Sequence, residues 1–286
     1  MSRPERQTDQ SPNRSTAYLG TEGTRPYAGA GWYYAEYRER VSAELMAILA
    51  RRLDWSPGDR VLDLGAGPGQ LSLVIAPFVA EVVAIEPEPD MLKEGERRAR
   101  TAEIRNVTFV AGSSDDLPAL QSSLGLFRAA LMGQSLHWMV ERDRVLEDLG
   151  AIIDEAGGAI AIVTPRSVSI PDKLRAAQVV VREILERHLV NVPPGPHPSG
   201  RHESFEDILR RSPFPRIERV ERTYETRVCP TIEALIGYEY TISHVLTRLG
   251  DNRGAFEREV RAALSWIEEV GEVSVTRRDE ALIGRR

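Results

Sequence analysis

Cysteine is nearly absent from this 286-residue chain, and Cys229 is its single example. One cysteine cannot form an internal disulfide, and a zinc site with cysteine ligands needs more than one. The sequence also lacks an HExxH motif or another spacing typical of metal ligands, so we expect no metal site. A reducing compartment fits these absences, and we predict a cytoplasmic location.

Long apolar runs and basic blocks are missing as well. No run approaches the ~18 residues that span a bilayer, and the first residues, MSRPERQTDQSPNRST, lack the apolar stretch of a secretory signal. We therefore predict a disordered tail over residues 1–26 and no membrane partner. Lysine occurs only as Lys93 and Lys173, the net charge is -6, and arginines and acids are interspersed. Without a basic stripe, we expect no nucleic-acid partner.

The first part of the chain alternates short apolar strands with helices. Apolar runs predict strands at 60–64, 81–85, 107–111, 127–132 and 159–163. Strands and helices that alternate at this spacing predict a parallel, doubly wound sheet.

The pattern changes after Pro165. Helical spacing predicts helices at 172–188, 232–249 and 253–268, and two further strands are predicted at 215–228 and in the last residues, DEALIGRR. We thus predict an α/β fold, with a Rossmann-like seven-stranded sheet and helical cap insertions. The predicted domains are the tail over 1–26, the ligand-binding core with an N-terminal helix over 27–165, and the cap with the last two strands over 166–286.

A glycine-rich turn follows the first predicted strand, in the segment VLDLGAGPGQ. Gly65, Gly67 and Gly69 stand where the strand passes into a helix, and their missing side chains let the backbone turn sharply and approach a ligand. The helix that follows offers free N–H groups at its start. Such turns serve many ligands, so the turn alone identifies none of them.

Three residues around this turn narrow the range of ligands that it can bind. Asp63 lies two residues before the first glycine, where its carboxylate would repel a pyrophosphate and meet an ammonium group. Gln70 stands where the dinucleotide fingerprint has a small residue. Glu86 ends the second predicted strand, 21 residues after Gly65, and a carboxylate there can accept both hydroxyls of a ribose.

This combination resembles the class I methyltransferases that use S-adenosyl-L-methionine (SAM). The resemblance covers residues 32–165 through four motifs in order, VLDLGAGPGQLS, VVAIEPEPDML, VTFVAGSSDDLP and LMGQSLHWM. It extends more loosely, through WYYAEYRERV and GYEYTIS, to a branch of small-molecule methyltransferases common in actinobacteria. Members of that branch frequently have R-P-x-Y-P after the tyrosines, where this chain has RERVS. The resemblance implies methyl transfer from SAM to an amine or hydroxyl of a small molecule in secondary metabolism.

The family's cofactor roles transfer to matching positions of this sequence. Asp63 and the following glycines would hold the methionine part of SAM, and Glu86 the ribose. The resemblance implies these cofactor-binding residues: Arg38, Asp63, Gly65, Ala66, Gly67, Gly69, Glu86, Pro87, Met91, Ser114, Asp115, Gly133 and Gln134. Ser113 stands where many relatives have an acid, so we assign the adenine contact to Asp115.

The acceptor is expected beyond the carboxyl ends of the fourth and fifth strands, where ligands of open α/β sheets bind. Methyl transfer mainly needs alignment of the reacting groups. A hydroxyl acceptor benefits from a base, and His137 is our candidate because an imidazole titrates near neutrality. Its alternative role is to pack or to orient SAM. The predicted acceptor contacts are Tyr37, Trp138, Tyr238, Tyr240 and His244.

The same predicted sheet is also compatible with other functions. An NAD(P)-dependent oxidoreductase would use the same turn, but Asp63 and Gln70 disfavour it, and no tyrosine stands four residues before either lysine. A non-catalytic SAM-binding protein would share the motifs, although the tyrosine-rich acceptor region disfavours it. A nucleic-acid methyltransferase often has N/D-P-P-Y/F where this chain has MGQS. Glu88 and Asp116 are expected on the solvated surface.

Overall fold

A computed structural model describes residues 25–190 and 203–286. Most of the predicted tail, up to residue 24, lies outside these residues. No helix within the two described ranges is long and apolar enough to cross a membrane.

The described chain forms one seven-stranded sheet, as predicted. Its strands are β1 (Arg60–Leu64), β2 (Glu81–Glu86), β3 (Val107–Ala111), β4 (Ala129–Gly133), β5 (Ala159–Ser169), β6 (Arg216–Val228) and β7 (Val273–Arg285). They lie in the order β3-β2-β1-β4-β5-β7-β6. The first five strands pair in parallel, whereas β7 runs antiparallel to both β5 and β6. The order reverses between β1 and β4, so a crevice opens at the carboxyl ends of these two strands.

Helices cover both faces of the sheet and one end of it. They are α1 (Gly31–Tyr37), α2 (Ala43–Arg52), α3 (Ser72–Ile75), α4 (Pro89–Thr101), α5 (Leu117–Leu124), α6 (Arg142–Ile152), α7 (Asp172–His188), α8 (Phe205–Arg210), α9 (Ile232–Glu239), α10 (Val245–Leu249) and α11 (Arg253–Ala263). Side-chain caps begin several of them; Ser42 Oγ, for example, accepts a hydrogen bond of 3.2 Å from Leu45 N.

The predicted bounds differ from the structure in several places. The single helix predicted over 232–249 is two helices, because His244 between them has a left-handed φ of 64° that a continuing right-handed helix does not allow. The predicted domain boundary at residue 165 falls inside β5, which continues to Ser169. The exposed end of β5 thereby extends beyond the parallel strands toward the helices that follow it in sequence.

The interior has three parts. Alternate residues of each strand face opposite sides of the sheet, so Leu62 and Met132 pack on one face while Val61 and Leu131 pack on the other. A third cluster joins α7, α9, α10 and α11, which together we call the cap. The cap has its own buried core and stands above the carboxyl end of the sheet next to β5.

Candidate functional site

The glycine turn after β1 adopts a backbone that requires glycine. Gly65, Gly67 and Gly69 have left-handed φ values of 72°, 56° and 74°. A Cβ on Gly65 would also lie 2.5 Å from Ser135 Cβ. Ser135 follows β4, and its hydroxyl donates a hydrogen bond of 2.6 Å to the Leu64 carbonyl. The turn is therefore held closely against the end of β4, at the crevice.

Asp63 presents a buried carboxylate oxygen beside this turn. Its Oδ2 accepts hydrogen bonds from Ser72 N at 3.0 Å and from Ser72 Oγ at 2.6 Å. Its Oδ1 is buried and has no hydrogen-bond partner among the described residues. Burial raises the pKa of Asp63 to about 6, against the lowering effect of the Ser72 hydrogen bonds. A buried acceptor left without a partner is costly, which points to a ligand that donates to Oδ1.

Glu86 closes the other side of the turn from the end of β2. Its Oε2 accepts from Gly67 N at 2.8 Å, and its Oε1 accepts from Glu88 N at 2.9 Å. Burial raises the pKa of Glu86 to about 7, although both hydrogen bonds act in the opposite direction. Two carboxylates thus flank a backbone turn rich in N–H groups, as predicted from the spacing.

The end of β4 contributes a strained residue. Gln134 has a left-handed φ of 51°, which is uncommon for a residue with a side chain. Its amide Nε2 donates to the Pro165 carbonyl at 2.9 Å, and its Oε1 accepts from Arg38 Nη2 at 3.1 Å. The Arg38 guanidinium also lies 5.7 Å from the centre of the Tyr238 ring. The structure therefore brings together three of the predicted site residues, which lie just after β4, just after α1 and on α9.

Two cavities meet at this point. The smaller, about 40 Å³, is lined by the turn, Asp63 and Gln134. The larger, about 420 Å³, lies between the cap and the exposed end of β5, and includes the predicted residues Tyr37 and Tyr238. Among the described residues, Glu39 lines both cavities.

Comparison with known proteins agrees with this geometry. Residues 61–157 match the family model of a methyltransferase domain. A type II methyltransferase structure from Anaeromyxobacter dehalogenans is similar at 22% identity, with a TM-score of 0.56, over 87% of this chain and 97% of that one. The YcgJ protein of Bacillus subtilis has a TM-score of 0.50 at 13% identity, over 86% of this chain and 99% of that one.

The chain therefore resembles a methyltransferase domain over residues 61–157, and its likeness to the solved structures is one of fold. Its similarity to curated proteins is short. A 23S rRNA (uracil(1939)-C(5))-methyltransferase, RlmD, from Shewanella sp. strain MR-4 is 39% identical over 77 residues, which are 26% of this chain and 17% of that protein. The chain therefore matches only a small part of the curated relatives' length, and what they act on does not transfer to it.

An N-terminal segment (residues 25–38) covers the turn. Tyr27 packs edge-on against Tyr34 at 6.0 Å and against Trp138 at 5.5 Å between ring centres. Burial raises the pKa of both tyrosines, and the negative charge of Glu86 adds to the effect. Both rings are therefore close enough to Glu86 to feel its charge, and Tyr34 also lines the smaller cavity together with Asp63.

Glu88 corrects one prediction. It was expected on the solvated surface, but its side chain is fully buried. It caps α4 by accepting from Asp90 N at 3.2 Å, and it forms an ion pair of 3.2 Å with Arg25 of the N-terminal segment. Its burial follows from the folding of that segment over the start of α4.

The predicted adenine side lies after β3. Ser114 and Asp115 form a short turn there, and Asp115 is exposed. Asp116 accepts from Ser113 N at 2.7 Å and from Ser113 Oγ at 3.0 Å, so its carboxylate stabilises this turn. Met91, on α4, is buried, and its neighbour Pro87 is partly exposed.

Tyr240 is a second correction. It was predicted to contact the acceptor, but it is 1% exposed inside the cap. Its hydroxyl donates to Glu257 at 2.8 Å, and its ring packs against Tyr33 at 5.0 Å. Helical spacing gives no indication of which tyrosine of a Tyr-x-Tyr pair faces the core, and here Tyr238 faces the cavity.

Three further predicted residues lie outside the linings of the two cavities. His137 and Trp138 form a short turn after Gln134, with ring centres 5.7 Å apart. His244 N donates to the Pro26 carbonyl at 2.6 Å, so this residue holds the N-terminal segment to the cap. Burial and the charge of Arg248 lower the pKa of its imidazole.

Sequence reasoning missed several residues of the site. Ser72 and Ser135 position Asp63 and the turn, and their positions beside the glycine motif and the strand-four motif were an available signal. Glu39 is in the segment RERVS, where the sequence differs from the branch pattern R-P-x-Y-P. This difference was an available signal that the residue has a role of its own. Glu239 lies between the two tyrosines of GYEYTIS, and no local pattern marked it.

Proposed function

We propose that this protein is a methyltransferase that binds SAM at the glycine turn and methylates a small molecule held in the larger cavity. The observation that carries the proposal is the free, buried Oδ1 of Asp63 beside a glycine turn, next to a second cavity. A volume of about 420 Å³ is within the range of small-molecule sites.

The residues present fit the cofactor. Asp63 Oδ1 would accept from the ammonium group of SAM, and Arg38 would pair with its carboxylate. Glu86 would accept from the ribose hydroxyls in exchange for, or in addition to, its bond to Gly67 N. The positively charged sulfonium of SAM supplies a methyl carbon that is already activated for transfer.

The N-terminal segment has to move for this cofactor to enter. About 40 Å³ beside the turn holds roughly one water molecule, far less than a nucleoside. Tyr34 lines the smaller cavity and Tyr27 packs against the Tyr34 ring, so we propose that both swing outward and then close over the bound cofactor. Closure would exclude water from the reacting groups.

Two residues are candidates for accepting the acceptor's proton. His137 is the sequence-based candidate, although it lies outside the lining of both cavities. Glu39 lines both, and its Oε1 is fixed by Ser167 N at 3.1 Å and Ser167 Oγ at 2.6 Å. We favour Glu39, because a base must reach the proton that it removes. His137→Gln and Glu39→Gln separate the two, since the variant without its base loses kcat and keeps its SAM affinity.

Two experiments test the proposal. Calorimetry with SAM, its demethylated product and NAD(H) separates a methyltransferase from an oxidoreductase, and uptake of NAD(H) without SAM would overturn the proposal. Incubation with methyl-labelled SAM and two substrate pools, a low-molecular-weight cell extract and total RNA, then identifies the acceptor class. Label in small molecules supports the proposal. Label in RNA alone, or binding of SAM without any transfer, contradicts it.

A further inference from the structure

Glu239 is a carboxylate in an unfavourable place. It is the last residue of α9, and a negative charge at a helix C-terminus meets the negative end of the helix dipole. Glu239 is only 3% exposed, and burial raises the pKa of its carboxyl. Each of these conditions lowers stability, and a residue that breaks local rules without structural gain is expected at functional sites.

The protein itself compensates this charge poorly. Arg182 Nη2 lies 3.7 Å from Oε1, and the Arg182 side chain is 60% exposed, so the pair is long and open to solvent. Oε2 is buried and has no hydrogen-bond partner among the residues that the structure describes. One oxygen of a buried carboxylate is thus left for another molecule.

The larger cavity is where such a molecule would lie. Glu239 lines it together with Tyr238, whose ring contacts Arg38, and with Glu39, which also lines the cofactor cavity. An acceptor in this cavity would therefore extend from Glu39, at the side of the cofactor cavity, toward α9. Glu239 is at the cap side of that path.

Charge in the cavity limits what Glu239 can bind. The larger cavity is lined by four arginines and by two carboxylates, those of Glu39 and Glu239. The arginines are Arg166, Arg175, Arg182 and Arg277. Arg166 is paired with Glu280 at 3.3 Å, and the positive charge that remains in excess opposes a cationic ligand. A neutral hydroxyl or an uncharged amine satisfies Oε2 without that repulsion.

We propose that Glu239 binds the methyl acceptor, through a hydrogen bond that Oε2 accepts from a neutral hydroxyl or amine group. This inference rests on the proposed function, and it describes the acceptor as a small polar molecule with such a donor at a distance from the methylated atom. Glu239 is an acceptor-binding residue and takes no part in methyl transfer itself.

The test uses Glu239→Gln in the full chain, with a low-molecular-weight cell extract as the acceptor pool and labelled SAM as the donor. We expect the extract concentration that gives half-maximal transfer to rise about tenfold, as for a lost charged hydrogen bond. The maximal rate and the SAM affinity from calorimetry should stay within about twofold. Glu257→Gln is the matched control, because Glu257 bonds Tyr240 inside the cap and does not line the cavity.

Thermal unfolding shows whether a changed extract dependence comes from a lost contact or from a destabilised protein. Glu239→Gln removes a buried charge and is expected to unfold at the same or a higher temperature than the unchanged protein. If it fails to fold, Glu239→Asp keeps the charge but withdraws the oxygen by one methylene, and the same rise is expected. Acylation of the extract with aqueous acetic anhydride blocks amines and leaves most alcohols. Glu239-dependent transfer that survives it identifies the bound group as a hydroxyl, whereas transfer that is lost shows that the acceptor needs a free amine, at Glu239 or at the methylated atom.

The outcomes separate this inference from the proposed function. Transfer by the unchanged protein, with an unaltered extract dependence in a folded Glu239 variant, overturns the inference alone. No transfer by the unchanged protein overturns both. A rise in Glu257→Gln equal to that in Glu239→Gln would assign the effect to cap stability and also overturn the inference.

Discussion

Glu86→Gln is expected to stabilise the free protein at alkaline pH and to lose this advantage as the pH falls to 5. The pKa of Glu86 is raised from an ordinary value of 4.5 to about 7 by burial. The difference is about 2.5, and since each pKa unit corresponds to about 1.4 kcal/mol, the ionised carboxylate lowers the free energy of unfolding by about 3 kcal/mol at pH 8. Glutamine removes this charge.

The substitution also has a cost that does not depend on pH. Glu86 accepts from both Gly67 N and Glu88 N. A glutamine oxygen can accept from one of them, but its NH₂ group faces the other donor, and one lost hydrogen bond costs about 1 kcal/mol. We therefore expect Glu86→Gln to be about 2 kcal/mol more stable than the unchanged protein at pH 8, and about equally stable at pH 5, where the penalty for burying this carboxyl is only about 1 kcal/mol.

The direction of this pH dependence follows from proton binding to Glu86. Between pH 4.5 and about 7 the folded protein holds a proton on Glu86 that the unfolded chain has released. The free energy of unfolding of the unchanged protein therefore falls as pH rises through this range. Asp63, with its pKa raised to about 6, adds a similar dependence to both proteins and largely cancels in their difference.

Urea unfolding at pH 5, 6, 7 and 8 measures this difference. Glu96→Gln, an exposed carboxylate on α4, is the control and should change the free energy of unfolding little at any pH. Calorimetry should show SAM binding weakened at least about tenfold by Glu86→Gln. A stability difference that is the same at pH 5 and pH 8 would refute the argument that burial of this carboxylate is unfavourable.

Three further predictions concern single side chains. Asp63→Asn should weaken SAM binding at least about tenfold in calorimetry, and unchanged affinity would remove Asp63 from the cofactor site. Gly65→Ala should lower the free energy of unfolding by about 2 kcal/mol or more, because of its left-handed backbone and the 2.5 Å approach to Ser135; a normal urea midpoint would contradict the geometry of the turn. Tyr240→Phe should cost about 1 kcal/mol through its bond to Glu257 and leave the extract dependence of methyl transfer unchanged, whereas a change in that dependence would restore Tyr240 as an acceptor contact.

The sheet and the glycine turn could be predicted because their determinants are local. A buried strand, a left-handed glycine and an acid at the next strand end each occupy a few consecutive residues. Parallel pairing then places these strand ends together without further information. Asp63 and Glu86 were found in this way, and the structure puts them on either side of the turn.

The cap could not be predicted in the same detail, because its geometry depends on contacts between distant segments. Glu88 is buried by Arg25, and Tyr240 by Tyr33, and neither partner is near in sequence. The free oxygen of Glu239 depends on how α7 and α9 pack. Helical periodicity gives the face of a helix that is buried, but not the neighbour that buries it.

The position of β7 has a consequence for biosynthesis. This strand follows the other six described strands in sequence, yet it lies between β5 and β6 and pairs with both. Until the ribosome has made it, β5 and β6 have no common partner and expose unpaired backbone edges, which invite association with other chains. We therefore expect the nascent protein to pass through a stage with an open sheet, and chaperones to be needed most at that stage.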